Sequence, residues 1–125
     1  MGRILIIDDD KDVRETLGMI VRSAGHEVST PTTGPGLRQI VAAGQYDVVV
    51  TDVLMPELDG IEVIKLVRAA KPQCPIIAIS GGSPRMPASV SLKLTEAFGA
   101  DVVLYKPFAK GELIEAIAQV NRPPP

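Results

Sequence analysis

A single cysteine, Cys74, in 125 residues excludes an intramolecular disulfide and any metal centre built from several thiolates. Excess positive charge is missing too. The formal net charge is −2, with acids and bases dispersed, so neither a basic stripe for nucleic acid nor a cationic amphipathic segment for a membrane surface is present. Long apolar runs are also lacking: none approaches the ~18 residues of a membrane span. The short run after Gly2-Arg3 is stopped by acidic residues before it can serve as the core of a signal peptide. These absences predict a cytoplasmic protein with no direct nucleic-acid or membrane partner.

The chain does have carboxylates at the ends of apolar runs. Asp8, Asp9 and Asp10 follow Ile4-Leu5-Ile6-Ile7, and Asp52 follows Val48-Val49-Val50-Thr51. Continuous apolar runs of this length read as strands covered on both faces, as in a parallel sheet. In open α/β sheets ligands bind outside the carboxyl ends of the strands, so the acids are expected to meet at one rim. Two carboxylates at 4 Å repel by roughly 4 kcal/mol at an intermediate effective dielectric. Such a cluster calls for a cation or a proton, and a divalent metal is the expected partner.

With 46% hydrophobic residues, the chain can bury one good core and fits the usual size of one domain. Strand-like and helix-like stretches alternate without a break in composition. Asp10 is placed to cap a first helix carrying Val13, Leu17, Ile20, Val21 and Ala24 at helical spacing, which Gly25 ends. His26 to Thr30 forms a short strand, with His26 expected to be exposed in it. Leu37, Ile40 and Val41 mark a weak second helix ending near Gly44. Asp47 to Thr51 is the third strand. A third helix spans Gly60 to Ala70, with Ile61, Ile64, Leu66 and Val67 facing a core, and Pro72 and Pro75 bracket the turn into a fourth strand, Ile76 to Ile79. A loop rich in Gly and Pro, Gly81 to Pro87, leads into a fourth helix near Ala88 to Phe98. Val102 to Tyr105 is the fifth strand, and Leu113, Ile114, Ile117 and Val120 line a last helix.

Five βα units predict a doubly wound α/β fold: a flavodoxin-like three-layer sandwich around a parallel five-stranded sheet of order 2-1-3-4-5, with right-handed crossovers. That order makes strands one and three neighbours, so Asp8, Asp9 and Asp52 converge. Ser80 and Lys106, at the ends of strands four and five, are expected over the same crevice. The predicted domain spans residues 1–121, with 122–125 a C-terminal tail or the start of a linker.

Four separated motifs now resemble one family, the receiver domains of two-component response regulators. Ile6-Ile7-Asp8-Asp9-Asp10 is similar to the family's acidic pair after strand one. Residues Thr51 through Gly60, with their Met55-Pro56 and Asp59-Gly60 steps, resemble its phosphoacceptor loop. Ile79-Ser80-Gly81 resembles the hydroxyl and small-residue step after strand four, and Lys106-Pro107-Phe108 resembles the signature after strand five.

The resemblance implies that Asp52 accepts a phosphoryl group from a phosphohistidine, on a sensor histidine kinase or a phosphotransfer protein, to form an aspartyl phosphate. It implies Mg2+ (or Mn2+) held by Asp9, Asp52 and the Leu54 backbone carbonyl, with Asp8 contacting the ion through water. That donor set suits a small cation that keeps several waters. Lys106, Ser80 and the Gly81 amide are then expected to contact phosphoryl oxygens, since phosphoryl transfer asks a protein mainly for positioning and positive charge. The Lys106-Pro107 peptide bond is expected to be cis. The resemblance further implies no enzymatic activity beyond the domain's own phosphorylation and dephosphorylation. A downstream effector is expected on the face of helix four, strand five and helix five, and the chain is expected to be a monomer or a phosphorylation-dependent dimer.

Two other function classes compete. A haloacid-dehalogenase-like phosphatase also uses an Asp nucleophile, magnesium, a hydroxyl and a Lys, but requires a second Asp two residues after the nucleophile, where this chain has Leu54. A degenerate receiver acting as a phosphorylation-independent interaction module requires a broken site, whereas here every acid and base is in place. Two features set the chain apart within the resemblance. The loop from Gly82 to Pro87 is long, and Val103 stands where an aromatic is common, so signal exit is expected through Gly81 to Pro87. The resemblance also implies that Leu54 and Gly82 stand at the positions that tune attack by water, and since neither has a side chain able to orient water by hydrogen bonding, a long-lived phosphate is expected.

Overall fold

A computed structural model of the chain describes residues 2–32, 36–53, 60–80 and 99–120. Leu54 and the rest of the predicted phosphoacceptor loop to Asp59, Gly81 and its loop, the helix expected over 88–98 and the C-terminal tail lie outside the described residues. Five strands, β1 (Arg3–Ile7), β2 (Glu27–Ser29), β3 (Val48–Asp52), β4 (Ile76–Ser80) and β5 (Val102–Tyr105), form one parallel sheet of order β2-β1-β3-β4-β5. The helices are α1 (Lys11–Ser23), α2 (Leu37–Ala43), α3 (Gly60–Ala70) and α4 (Lys110–Val120), the last of these being the fifth helix of the sequence expectation. The predicted order and fold class are therefore those observed.

Alternation along the strands distributes one apolar run to two cores. Leu5 and Ile7 of β1, Val49 of β3 and Ile76 at the start of β4 pack with Leu37, Val41, Val63, Ile64 and Val67 of α2 and α3. Their neighbours Ile4, Ile6, Val48, Val50, Ile77 and Ile79 pack with Leu17 and Val21 of α1 and Leu113, Ala116 and Ile117 of α4. Continuous apolar runs are needed because both faces of the sheet are covered.

Helix α1 begins where Asp10 accepts hydrogen bonds from the backbone amides of Asp12 (2.9 Å) and Val13 (3.3 Å). It ends at Gly25, whose φ of 95° is a left-handed conformation suited to glycine. The cap expected at Asp10 is thus present. The inward stripe of α1 differs from expectation, since it carries Arg14, Leu17, Gly18 and Val21. Val13 and Ile20 sit at its partly buried margin. In α2, Ile40 is exposed rather than core-facing, because a seven-residue helix has room for only one inward pair, Leu37 and Val41.

His26 also departs from expectation. It lies just before β2, in the connection from α1, and is half-buried rather than exposed, with an Nδ1 that has no hydrogen-bond partner. Both β3 and β4 run one residue further than the sequence suggests, so that Asp52 and Ser80 are the last strand residues rather than the first of the loops. Both are therefore held in the ladder, with Asp52 paired to Ile79 and Ser80 to Tyr105.

Candidate functional site at the carboxyl ends of the strands

The hydrogen-bonded register of the sheet builds the site. Ile7 pairs with Thr51 across β1 and β3, and one step beyond that pair lie Asp8 and Asp52, both buried. Carboxylate oxygens of Asp8, Asp9 and Asp52 lie within 4.8 Å of one another, with Asp9 on the exposed side. Across the rim, the Lys106 amide donates to the Ser80 carbonyl oxygen (3.0 Å), carrying the end of β5 over the end of β4. The Lys106 ammonium then reaches Asp52 Oδ2 at 3.3 Å. The Lys106-Pro107 peptide bond is cis. Of the residues expected at the site, Asp8, Asp9, Asp52, Ser80 and Lys106 come together at this rim, whereas Leu54 and Gly81 lie outside the described residues.

Asp8 is the most constrained of the acids. It is 1% exposed, and its Oδ1 accepts a hydrogen bond from the Asp10 amide at 2.9 Å. Its Oδ2 is buried with no hydrogen-bond partner. Burial pushes the Asp8 carboxyl up to about 6; the Asp52 and Asp9 charges add to this, while the Asp10 amide and the Lys106 charge oppose it. A buried carboxylate oxygen without a donor, within reach of two further carboxylates, is the arrangement a hard divalent cation satisfies. The donor set thus fits such an ion. Lys106 supplies only part of the counter-charge, because one ammonium faces three acids.

Two arginines escape a reading of the sequence. Arg14, on the inward stripe of α1, is buried and donates from Nη1 to the Asp8 carbonyl oxygen at 2.9 Å. The signal available was its spacing, three residues before Leu17 on the same helical face. Arg68 of α3 works at the opposite end of the sheet, donating to the carbonyls of Gly99 (2.6 Å), Pro72 (3.3 Å) and Cys74, and to Asp101 Oδ2 (2.9 Å). It ties the approach to β4 to the approach to β5 and has no part in the acidic rim. Nearby, Cys74 is buried, and burial pushes its thiol up, which makes it a packing residue rather than a nucleophile.

A five-stranded parallel sheet of order β2-β1-β3-β4-β5, whose rim brings the acids after β1 and at the end of β3 against a lysine after β5, defines a doubly wound α/β domain. The family model for the response regulator receiver domain matches residues 4–118, and the chain belongs to that family. Among curated relatives it is 34% identical over 121 residues to the cell cycle transcriptional regulator CtrA of Caulobacter vibrioides, covering 96% of this chain and 50% of that protein. It is 38% identical over 121 residues to the response regulator MprA of Mycolicibacterium vanbaalenii, with the same two coverages, 96% and 50%. The chain thus spans about half the length of these relatives. Among solved structures, the Vibrio cholerae chemotaxis protein CheY4 superposes with a TM-score of 0.80 at 28% identity, covering 96% of this chain and 98% of that one. A putative response regulator from Chloroflexus aurantiacus superposes with a TM-score of 0.81 at 30% identity, covering 96% and 97%. Among the described residues no helix is long and apolar enough to cross a membrane.

Proposed function

We propose that this receiver domain takes a phosphoryl group from a phosphohistidine, on a sensor histidine kinase or a phosphotransfer protein, onto Asp52. The observation that carries the reading is the 3.3 Å approach of Lys106 Nζ to Asp52 Oδ2, beside an acid cluster whose oxygens lie within 4.8 Å of one another. An Asp52 carboxylate oxygen attacks phosphorus in line. The phosphorus–nitrogen bond to the imidazole breaks, and its electron pair stays on the ring nitrogen. Lys106, already paired with the carboxylate, moves its charge onto a phosphoryl oxygen as negative charge shifts outward. The Ser80 hydroxyl and the Gly81 amide donate to the remaining oxygens.

Asp9, Asp52 and the Leu54 carbonyl would hold Mg2+ or Mn2+, with Asp8 reaching it through water, and the ion would supply positive charge beside the transferred group. The reaction ends on the chain itself, so no separate substrate is turned over. The phosphorylated form is read by an effector on the face of residues 88–98, β5 and α4, with the change of state carried through Gly81 to Pro87. The setting is the cytoplasm. A phosphorylation-independent interaction module has little support, because a degenerate site has no reason to keep three converging acids, two of them buried, together with a lysine.

The test is incubation of the full chain with acetyl phosphate and Mg2+, followed by intact mass spectrometry. Wild type is expected to gain one phosphoryl group, Asp52→Asn none, and EDTA to suppress the gain. Equal labelling of wild type and Asp52→Asn overturns the reading.

A further inference from the structure

Arg14 is a charged group buried on the core-facing stripe of an amphipathic helix, and the chemistry proposed above makes no use of it. It is 8% exposed, and it shares its face with Leu17, Gly18 and Val21. Among the described residues no ion pair includes it. Burying a guanidinium without a carboxylate partner is expensive, and an apolar residue of similar volume at such a place is often neutral or stabilising. Packing therefore gives no reason for a charge here. Its hydrogen bond does: Nη1 donates to the Asp8 carbonyl oxygen at 2.9 Å.

That bond completes a set that locks the turn from β1 into α1. The Asp8 side chain accepts from the Asp10 amide at 2.9 Å. The Asp10 carbonyl accepts from the Arg14 amide at 2.9 Å, and the Asp10 side chain accepts from the amides of Asp12 and Val13. Asp8 is thus fixed through both its main chain and its side chain, and Asp9 is carried between two fixed residues. We infer that Arg14 is a positioning residue for the acidic rim, holding the Asp8–Asp9 turn in the arrangement that receives a divalent cation. This rests on the metal site of the proposed function and assigns to it a residue that touches neither ion nor phosphate. Outer groups that orient metal ligands in this way typically change affinity by about 10–100-fold when removed. A competing effect has the opposite sign: a positive charge near the site repels the ion. The guanidinium bonds to the carbonyl rather than to a carboxylate of the cluster, which favours orientation as the larger effect.

The experiment titrates Mn2+ into the full chain, follows the free ion by electron paramagnetic resonance, and measures urea unfolding without metal on the same samples. Four proteins are compared: wild type, Arg14→Met, Asp9→Asn as the ligand control, and Arg22→Met as a control for the lost charge, taken from the exposed side of α1. Arg14→Met is expected to bind Mn2+ about 10-fold more weakly while keeping or raising its metal-free stability, and Arg22→Met is expected to bind as wild type does. A purely structural arginine gives the reverse pattern, with lower stability and unchanged affinity, and that result overturns the inference. So does Mn2+ binding that is tighter in Arg14→Met. If wild type binds but Arg14→Met is unchanged while Asp9→Asn is weakened, the inference alone fails. If wild type and Asp9→Asn bind alike, the metal site itself is refuted and the inference falls with it. Should Arg14→Met give no folded protein, Arg14→Lys carries the test, since an ammonium lacks the planar fork. Severalfold weaker binding is then expected, and wild-type affinity overturns the inference.

Discussion

Asp8 illustrates how a single residue can be held at a cost to stability for the sake of a site. Its burial, and to a lesser degree the neighbouring Asp52 and Asp9 charges, favour the protonated form, raising the group from 3.8 to about 6. A difference of that size corresponds to destabilisation on the order of 3 kcal/mol once the carboxyl is ionised and no cation is bound. The sign follows from proton counting. Between pH 4 and 6 the folded state keeps a proton that the unfolded state has lost, so stability falls as pH rises through that window and stays low above it. Asp8→Asn keeps an oxygen for the Asp10 amide and removes the charge. In EDTA at pH 7 it is expected to unfold at higher urea than wild type, with the difference shrinking toward pH 4. Added Mg2+ should then stabilise wild type more than the variant. A variant less stable than wild type in EDTA at pH 7 would contradict this account.

Among the elements, α1 and α4 start in different ways. Asp10 caps α1 through two backbone amides. At α4, Glu112 Oε1 accepts from the Ala109 amide at 3.2 Å, which is half of a capping box, but Ala109 has no side-chain oxygen to return the bond. Ala109→Ser is expected to complete the box and raise stability by about 0.5–1 kcal/mol, visible as a higher thermal midpoint. No gain would mean that Ala109 lacks the extended backbone a cap requires. Elements of this kind were largely legible in advance. The bounds of α3 and β5 match their expected residues, and the cap of α1 follows from Asp10 and helical spacing. The errors lie where spacing is ambiguous. Val13 and Arg14 compete for the first inward position of α1, and a hydrophobicity count favours Val13. Tertiary placement of Arg14 over the Asp8 carbonyl decides otherwise.

At the scale of the molecule, the two cores of the described residues lie on opposite faces of one sheet, so a strand residue facing one core supports the ladder that holds the rim. Ile77 of β4 is fully buried against α1 and α4 and lies between Val50 and Val102 in register. Ile77→Ala is expected to lower stability by about 3 kcal/mol, through lost burial and the cavity left behind. That is a large fraction of the 5–15 kcal/mol typical of a domain. The urea midpoint should fall with little change in slope. Acetyl phosphate labelling of the folded fraction should persist, because the substitution lies three residues before Ser80 and off the rim.

Local sequence determined the elements, their order and the class of the site. Continuous apolar runs between helical repeats admit a parallel sheet covered on both faces, and acids after strands one and three must then share a rim. Residue types set those results, because burial and periodicity are properties of short segments. Which groups touch was decided by the tertiary structure. The 3.3 Å contact joins Lys106 to Asp52 across 54 positions, and the clasp of Arg68 on Asp101 spans 33. The hydrogen bond of Arg14 to the Asp8 carbonyl and the half-burial of His26 were decided in the same way. Each depends on the distance and exposure of groups far apart in the chain, which only the packed layers supply.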